Sequence, residues 1–430
     1  MPTAMNKPKL VLIGNGMAGA KLLEELMISC PEQYDITVFG DEPYGNYNRI
    51  MLSPLLAGEK TLDEIMIFAR KWYEDNGIAL HAGKDKFITK IDRIKKCVHT
   101  LDGGSTPYDR LVIATGSKPF ILPIPGTDLN GVMSFRDIAD VENMITAAST
   151  YKKAVVIGAG LLGLEAAMGL TGRGMDVTVV HNNDIPLNRQ LDQESGELLK
   201  FELAERGLKF KMNASTQDIV SDDQGNVKKL IFKDGSEIET DLVIMAIGIR
   251  PNFKLAKEAG VHCEKGIIVS DTLQTYDPTI YALGECIQHR GDTFGLVAPL
   301  YDQARVLANH LSEHGVALFQ TLPTATKLKV TGINLFSVGD FLGNDQTESL
   351  VYRDKQQGIY KKIIVENNTI KGVVLYGDTQ EGAFYNELMD NKTDLTALRP
   401  YLMFGRALCE DQVPPALVND ETEDNLSVAI

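Results

Sequence analysis

At 430 residues and a formal net charge of −15, the chain is long enough for several hydrophobic cores and too acidic for a nucleic-acid or anionic-membrane surface. No apolar run approaches the roughly 20 residues of a membrane span; the longest, Leu242 to Ile249, is strand-sized. The five cysteines (Cys30, Cys97, Cys263, Cys286, Cys409) are scattered without Cys-x-x-Cys or zinc spacing, and the N-terminus has no apolar signal core, so they read as reduced thiols of a cytoplasmic protein.

The first element is a buried parallel strand, Lys9 to Ile13, which runs into Gly14-x-Gly16-x-x-Gly19 and then an apolar-periodic helix through Ala20, Leu22, Leu23 and Leu26. Gly14 permits the tight turn, Gly16 lets a pyrophosphate approach the backbone, and Gly19 lets helix pack on strand. The anion then rests on the unpaired N–H groups at the positive end of the helix. A second strand, Ile36 to Phe39, leads to Asp41-Glu42, where either carboxylate can bond a ribose hydroxyl.

After a turn-rich segment whose Arg49 meets either a phosphate or solvent, Leu62 to Asn76 reads as one helix capped by Gly77. Two short strands flank the hairpin turn Asp102-Gly103-Gly104, and Asp109 to Ala114 is a further buried strand ending in Thr115-Gly116-Ser117. A proline-spaced connector (Pro119, Pro123, Pro125) follows. Then the opening repeats: Lys153 to Leu170 aligns without a gap on Lys9 to Leu26, placing Gly158, Gly160 and Gly163 on Gly14, Gly16 and Gly19. The strand Asp176 to Val180 ends in His181 instead of an acid. A hairpin turn at Asp234-Gly235 precedes the buried strand Asp241 to Ala246 and Ile247-Gly248. Two dinucleotide-binding units in one chain are the consequence.

Beyond Tyr281–Cys286, a helix opens with Pro299 in its first turn, and from about Leu322 β-branched stretches (327–330, 334–338, 358–365, 371–376) suggest a small α+β unit. The tail after Leu408 has Pro414-Pro415 and five acids from Asp411 to Asp424, and reads as disordered or partner-dependent. His310 and His314 have helical metal-ligand spacing. With no third ligand beyond Glu313, and with histidines favourable near a helix C-terminus, no metal is expected.

With Ala114-Thr115-Gly116, Gly158–Glu165, Ala246-Ile247-Gly248 and Tyr281–Glu285 added in order to the first glycine loop, the chain resembles the flavoprotein reductases that hold FAD and NAD(P)H in duplicated Rossmann-like domains. Within that group ITVFGDEP, GLLGLEAA, RQLDQ, IGIRP, YALGEC, FGLVAP, TATKLKVTGI and VVLYGDT resemble the flavin-containing N-terminal part of the large subunit of bacterial NAD(P)H nitrite reductase; rubredoxin reductases are similar too. The resemblance implies an α/β fold of the glutathione-reductase kind with two Rossmann-like dinucleotide-binding domains and a small α+β C-terminal domain. Its expected limits are an FAD-binding domain over 1–117 and 247–321, an NAD(P)H-binding domain over 118–246, an interface domain over 322–408 and an acidic tail over 409–430.

The family implies that Gly14, Asn15, Gly16, Met17, Ala18 and Gly19 hold the FAD pyrophosphate and Asp41 or Glu42 its ribose. Arg49, Ile88, Thr115 and Gly116 line the same cofactor, Glu285 bonds the ribityl chain, and Val297 and Lys327 approach the flavin ring. Gly158, Gly160, Leu161, Leu162, Gly163, His181 and Gly248 form the nicotinamide-nucleotide site. Glu165 would stand beside the nicotinamide and flavin N5 as the catalytic residue, its plain alternative being a solvated helix side chain. Relatives often carry a lysine where Pro54 stands, so an ion pair to Glu165 is not assured.

Disulfide reductases, peroxidases and oxidases of this architecture place cysteine between Asp41 and Gly58, where this chain has none. Cys286 reads as packing rather than as a thiolate. Without a sulfur relay, the flavin itself passes electrons on. The expectation is an NAD(P)H:acceptor oxidoreductase, with NADH preferred because no arginine follows His181 closely; NADPH is the alternative. The acceptor is an iron–sulfur or sirohaem protein of an assimilatory nitrite or nitrate reductase system. Alternatives are a rubredoxin or ferredoxin reductase, or a non-enzymatic NADH-responsive subunit. The stretch after Gly405 holds a single cysteine, too few for a cluster, so the chain is expected not to reduce nitrite alone. Its C-terminal unit either docks the partner or makes a homodimer.

Overall fold

The computed structural model describes residues 7–313, 315–321, 325–330 and 332–409, with 327–330 as backbone. Lys9–Ile13 is apolar on both faces because it is the centre of a parallel sheet, ordered Ile280–Ala282, Arg110–Ile113, Lys9–Ile13, Asp35–Gly40, Ala79–Ala82. Leu10, Leu12, Val38, Leu111, Val112 and Ile113 are fully buried there. The second sheet repeats the plan, also all parallel: Val132–Ser134, Leu242–Met245, Lys153–Ile157, Asp176–Val180, Lys209–Lys211. In each, the glycine-loop strand pairs on one side with the next strand in the chain and on the other with a strand that follows a three-stranded antiparallel insert. The inserts are Ile88–Asp92, Cys97–Thr100, Ser105–Pro107 and Thr216–Ser221, Val227–Phe232, Glu237–Glu239. A two-stranded ribbon, Ser117–Pro119 against Ile249–Pro251, joins the two dinucleotide domains where the chain passes from one to the other and back.

Five helices lie around the two glycine loops, α1 (Met17–Ser29), α2 (Leu52–Ala57), α3 (Ile138–Thr150), α4 (Leu161–Gly172) and α6 (Val297–Leu311), and α5 (Gln193–Glu205) is a further helix. The stripe Leu300, Ala304, Leu307, Ala308 and Leu311 buries one side of α6, which packs on α1. Among the described residues no helix is long and apolar enough to cross a membrane.

Leu62 to Asn76 is not one helix. Leu62–Ile65 and Arg70–Asp75 are separate turns, because Met66–Phe68 is extended and pairs with Asn46–Tyr47. Phe68 then stacks on Trp72 with ring centroids 4.1 Å apart. Tertiary pairing overrides helical propensity here.

Contacts divide the chain into two compact units, one of residues 1–182 with 207–322, the other of 183–206 with 323–430. The second is a five-stranded antiparallel sheet ordered Thr326–Val330, Ile333–Gly339, Thr369–Tyr376, Ile359–Glu366, Glu348–Asp354. The helix Gly382–Asp390 covers it through Phe384, Tyr385 and Leu388. The edge strand Glu348–Asp354 escapes sequence reading because none of its residues is buried and its pattern does not alternate. Helix α5 belongs to this unit. Tyr360 Oη donates to Asp192 at 2.7 Å, Lys362 pairs with Asp192 at 3.2 Å, and Arg353 forks onto Glu194.

Candidate active site

The first cradle follows from two steric facts. Gly14 has φ +110°, and a Cβ on it would lie 2.1 Å from the Ala114 carbonyl oxygen; on Gly19 it would lie 2.5 Å from the Gly14 oxygen. Strand, turn and α1 therefore close on one another only with hydrogen at both positions. Gly16, the cap residue of α1, has nothing within 4 Å of its Cβ position and no side-chain cap, so the first N–H groups of α1 face open space. Met17 and Ala18 begin the helix, buried.

Asn15 is held by two residues the sequence did not single out. Its Oδ1 accepts from the buried Tyr73 phenol at 2.7 Å, and its carbonyl accepts from Asn46 Nδ2 at 2.9 Å. Asn15 Nδ2 and Asn46 Oδ1 are buried with no partner in the protein, one free donor and one free acceptor at the glycine loop.

Glu42 uses both carboxyl oxygens inside the protein, one toward Arg49 and the other accepting from Tyr47 Oη at 2.7 Å. Arg49 also donates to the Arg136 carbonyl at 3.0 Å and stands over the Tyr47 ring, so it sits in a polar network rather than in solvent. Asp41 is exposed and Ile88 is buried in the core of the first sheet. The Thr115 hydroxyl donates to the Asn252 carbonyl at 2.6 Å, and the Asn252 N–H donates to the Gly116 carbonyl at 2.9 Å. Beside this clasp Glu285 pairs with Arg136 and accepts from Ser117 Oγ at 2.8 Å. Gln303 of α6 accepts the Gly284 N–H at 2.7 Å, and its Nε2 is buried without a protein partner. Val297 begins α6, whose cap Leu296 offers no side-chain bond. Lys327 lies on the backbone strand Thr326–Val330 in the other unit.

The second cradle repeats the first. A Cβ on Gly158 would lie 2.3 Å from the Ala246 oxygen and one on Gly163 would lie 2.0 Å from the Gly158 oxygen, while Gly160 is open. Leu161 and Leu162 lead α4, Leu162 facing outward. The N–H of Ala159 points to His181 Nδ1 at 3.4 Å, and Gly248 accepts the Phe120 N–H at 2.9 Å. From α4 the partly buried Glu165 meets α2, where Ser53 Oγ donates to it at 2.6 Å. Burial pushes the Glu165 carboxyl up to about 7, with the Ser53 bond pulling the other way.

All five cysteines are free. Cys286 is fully buried, its thiol pushed up to about 11 by burial, and it donates to the Leu283 carbonyl at 3.2 Å. Of the two helical histidines, His310 packs on Tyr281, and His314 lies outside the described residues. Asp92, Cys97 and His99 offer ligand atoms within 4.8 Å of one another. Hydrogen bonds account for that cluster, since Cys97 Sγ contacts His99 Nε2 at 3.4 Å and Asp92 accepts the Lys95 N–H at 2.9 Å.

Residues 8–310 match the pyridine nucleotide-disulphide oxidoreductase family, and residues 324–393 match the rubredoxin NAD+ reductase C-terminal domain. The chain belongs to the pyridine nucleotide-disulphide oxidoreductase family. It is 47% identical over 392 residues to a nitrite reductase [NAD(P)H] of Bacillus subtilis (strain 168), covering 91% of this chain and 48% of that protein. It is 43% identical over 377 residues to an assimilatory nitrate reductase electron transfer subunit of the same organism, covering 88% of this chain and 48% of that protein. The chain thus spans about half the length of these curated relatives. The solved structure of NADH:rubredoxin oxidoreductase from Clostridium acetobutylicum superposes with a TM-score of 0.76 at 25% identity, over 95% of this chain and 100% of that one.

This pyridine nucleotide-disulphide oxidoreductase is accordingly an FAD- and NAD(P)H-dependent enzyme. Its residues fit both cofactors: two open glycine positions at helix N-termini, and an orphaned donor, Asn15 Nδ2, at the first. Unlike the family's name, it brings no disulfide to the site.

Proposed function

We propose that the chain is the electron-input part of a cytoplasmic assimilatory nitrite or nitrate reductase system. It takes hydride from NADH and delivers electrons to an iron–sulfur or sirohaem protein. Bound flavin supplies the conversion between hydride arrival and one-electron departure. The observation that carries this reading is the pairing of two open glycine cradles with Glu165, held against α2 by Ser53, and with Cys286 a buried neutral thiol.

In this reading the first N–H groups of α1 and α4 bind the two pyrophosphates, and Asn15 Nδ2 adds a donor at the first. The Thr115–Asn252 clasp holds the inter-domain ribbon and thereby orients one cradle to the other. Glu285 serves the ribityl chain, and the N-terminus of α6, with Val297, stabilises negative charge on the reduced ring. Glu165 lies beside the nicotinamide. His181 takes the ribose end of NADH, with no arginine nearby in sequence to receive a 2′-phosphate.

A rubredoxin reductase is the second reading, favoured by the full-length match to the Clostridium structure and by the C-terminal domain match. The C-terminal unit is the proposed docking surface; the acidic tail lies outside the described residues.

The test is anaerobic. NADH should bleach the protein's flavin absorbance, and the reduced protein should reduce a one-electron dye, then a ferredoxin or rubredoxin. Ammonia should form from nitrite only when a sirohaem protein is added. A tenfold NADPH advantage in kcat/KM at pH 7.5, about 1.4 kcal/mol, would overturn the assignment of His181.

A further inference from the structure

Glu165, Gly169 and Arg173 stand at one-turn intervals along α4, and each meets α2. A Cβ on Gly169 would lie 2.8 Å from Leu56 Cγ and Cδ2, so the missing side chain lets α2 lie directly on α4. One turn along, Arg173 donates to the Leu56 carbonyl at the end of α2. One turn back, Ser53 donates to Glu165 at 2.6 Å. Pro54, in the first turn of α2, stiffens the segment at a position where its lost N–H has no intrahelical partner. The Ser53 hydroxyl is thus held in place from both ends of a short, rigid helix.

The charges around this pair are distant or already matched. α2 and the strand Leu242–Met245 carry no ionisable side chain. Lys153 and Asp176 start their strands at the end remote from the glycine loop and pair with Glu239 and Lys209. Arg49, just before α2, pairs with Glu42. On α3, Asp140 accepts from Ser134 and from the Arg136 N–H, next to Asp137 and Glu142. Burial raises the Glu165 proton affinity and the Ser53 bond lowers it.

We propose that Ser53 and Glu165 form a proton-holding pair that senses nicotinamide charge, keeping the Glu165 proton beside the neutral reduced ring and releasing it to solvent beside the cationic oxidised ring. The proposal rests on the reading that places the nicotinamide at Glu165. Only the carboxyl O–H bond breaks; the proton goes to bulk water and no electrons move with it, separately from the hydride. A hydroxyl suits this task because it donates to a carboxylate and accepts from a carboxylic acid, serving both states. A cation a few ångströms away lowers a carboxyl pKa by about 1–3 units. Starting from about 7, that shift crosses neutral pH; from an ordinary carboxylate value it would release nothing there. Ser53 is a positioning residue and Glu165 the group that titrates.

The test is calorimetry of NAD+ binding to the full-length flavoprotein in buffers of different ionisation heat, which counts protons released. Wild type should release about half a proton per NAD+ between pH 6 and 7.5, and its NAD+ affinity should rise about tenfold from pH 5.5 to 8.5. Glu165→Gln should release none. Ser53→Ala should move the release maximum up by about one pH unit, whereas Ser53→Thr, which keeps the hydroxyl, should leave it in place. Binding without release in wild type, or release that survives in Glu165→Gln, overturns the proposal. If Glu165→Gln alters NAD+ affinity but wild type releases no proton, this inference alone falls. If Glu165→Gln matches wild type both in the pH profile of NAD+ affinity and in the rate of flavin reduction, the placement of the nicotinamide falls with it.

Discussion

Arg136, just before α3, is ion-paired with Glu285, on the loop after strand Ile280–Ala282, and the two side chains are only 18% and 12% exposed. The guanidinium comes from the stretch after strand Val132–Ser134 of the second parallel sheet and the carboxylate from the loop after a strand of the first, so the pair ties the two sheets together beside the Thr115–Asn252 clasp. A desolvated charge left alone costs more than the pair contributes.

Arg136→Met should therefore destabilise the protein by about 2–4 kcal/mol, because Glu285 keeps only Ser117 as donor. Adding Glu285→Gln should recover more than half of that loss, since it removes the stranded charge. Thermal melts of the two single variants and the double variant measure this; a wild-type melting temperature for Arg136→Met would show the pair to be without consequence.

Gly16→Ala and Gly160→Ala should fold normally, since nothing stands within 4 Å of either added methyl. In the proposed function the methyl would face the space that a pyrophosphate enters. Gly16→Ala should purify with much less flavin, whereas Gly160→Ala should keep its flavin and bind NADH at least tenfold more weakly. Gly14→Ala, whose methyl would meet the Ala114 carbonyl at 2.1 Å, should fail to accumulate as folded protein. Flavin content and NADH titration separate the three.

Alkylation of accessible thiols should leave reduction of a one-electron dye intact, and so should serine at any one of the five cysteine positions. Cys286, the cysteine adjoining Glu285, is a buried neutral thiol bonded to backbone carbonyls and cannot act as a thiolate near neutral pH. Loss of dye reduction in a single Cys→Ser variant that retains its flavin would contradict this.

The raised Glu165 carboxyl also makes stability depend on pH. Between the ordinary value of 4.5 and about 7, the folded state binds more protons than the unfolded one, so stability falls as pH rises through that window. Glu165→Gln removes the effect. Its melting temperature should equal that of wild type near pH 4.5 and exceed it by a few degrees at pH 8. Parallel curves for the two proteins across this range would show that Glu165 ionises at its unfolded value.

The two glycine loops were legible in the chain because their constraint is local. A strand, a turn with hydrogen where Cβ would strike the neighbouring backbone, and a helix start all lie within about a dozen residues. The matching register of Lys9–Ile13 with Asp35–Phe39 and of Lys153–Ile157 with Asp176–Val180 follows from the same repeat. The acids Glu165 and Glu285 stood out as members of longer motifs, but their partners did not. Ser53 lies 112 residues from Glu165, and Arg136 lies 149 from Glu285, separations at which no periodicity or spacing rule operates. Tyr73 beneath Asn15 was hidden inside a stretch that reads as one helix, which pairing of Met66–Phe68 with Asn46–Tyr47 breaks.

Nor could local pattern assign α5, an amphipathic helix following a Rossmann strand, to the compact unit of the C-terminal sheet. Asp192, Glu194 and their partners Tyr360, Lys362 and Arg353 decide that through charge and hydrogen bonding across the fold. Sequence by itself determined the two strand–glycine turn–helix units and the lack of cysteine between Asp41 and Gly58, because both depend on residue type at adjacent positions. Tertiary structure alone decided which donor meets each carboxylate and how deeply that carboxylate is buried. Proton affinity depends on exactly that surrounding shell of solvent, dipole and charge, which only the folded chain assembles.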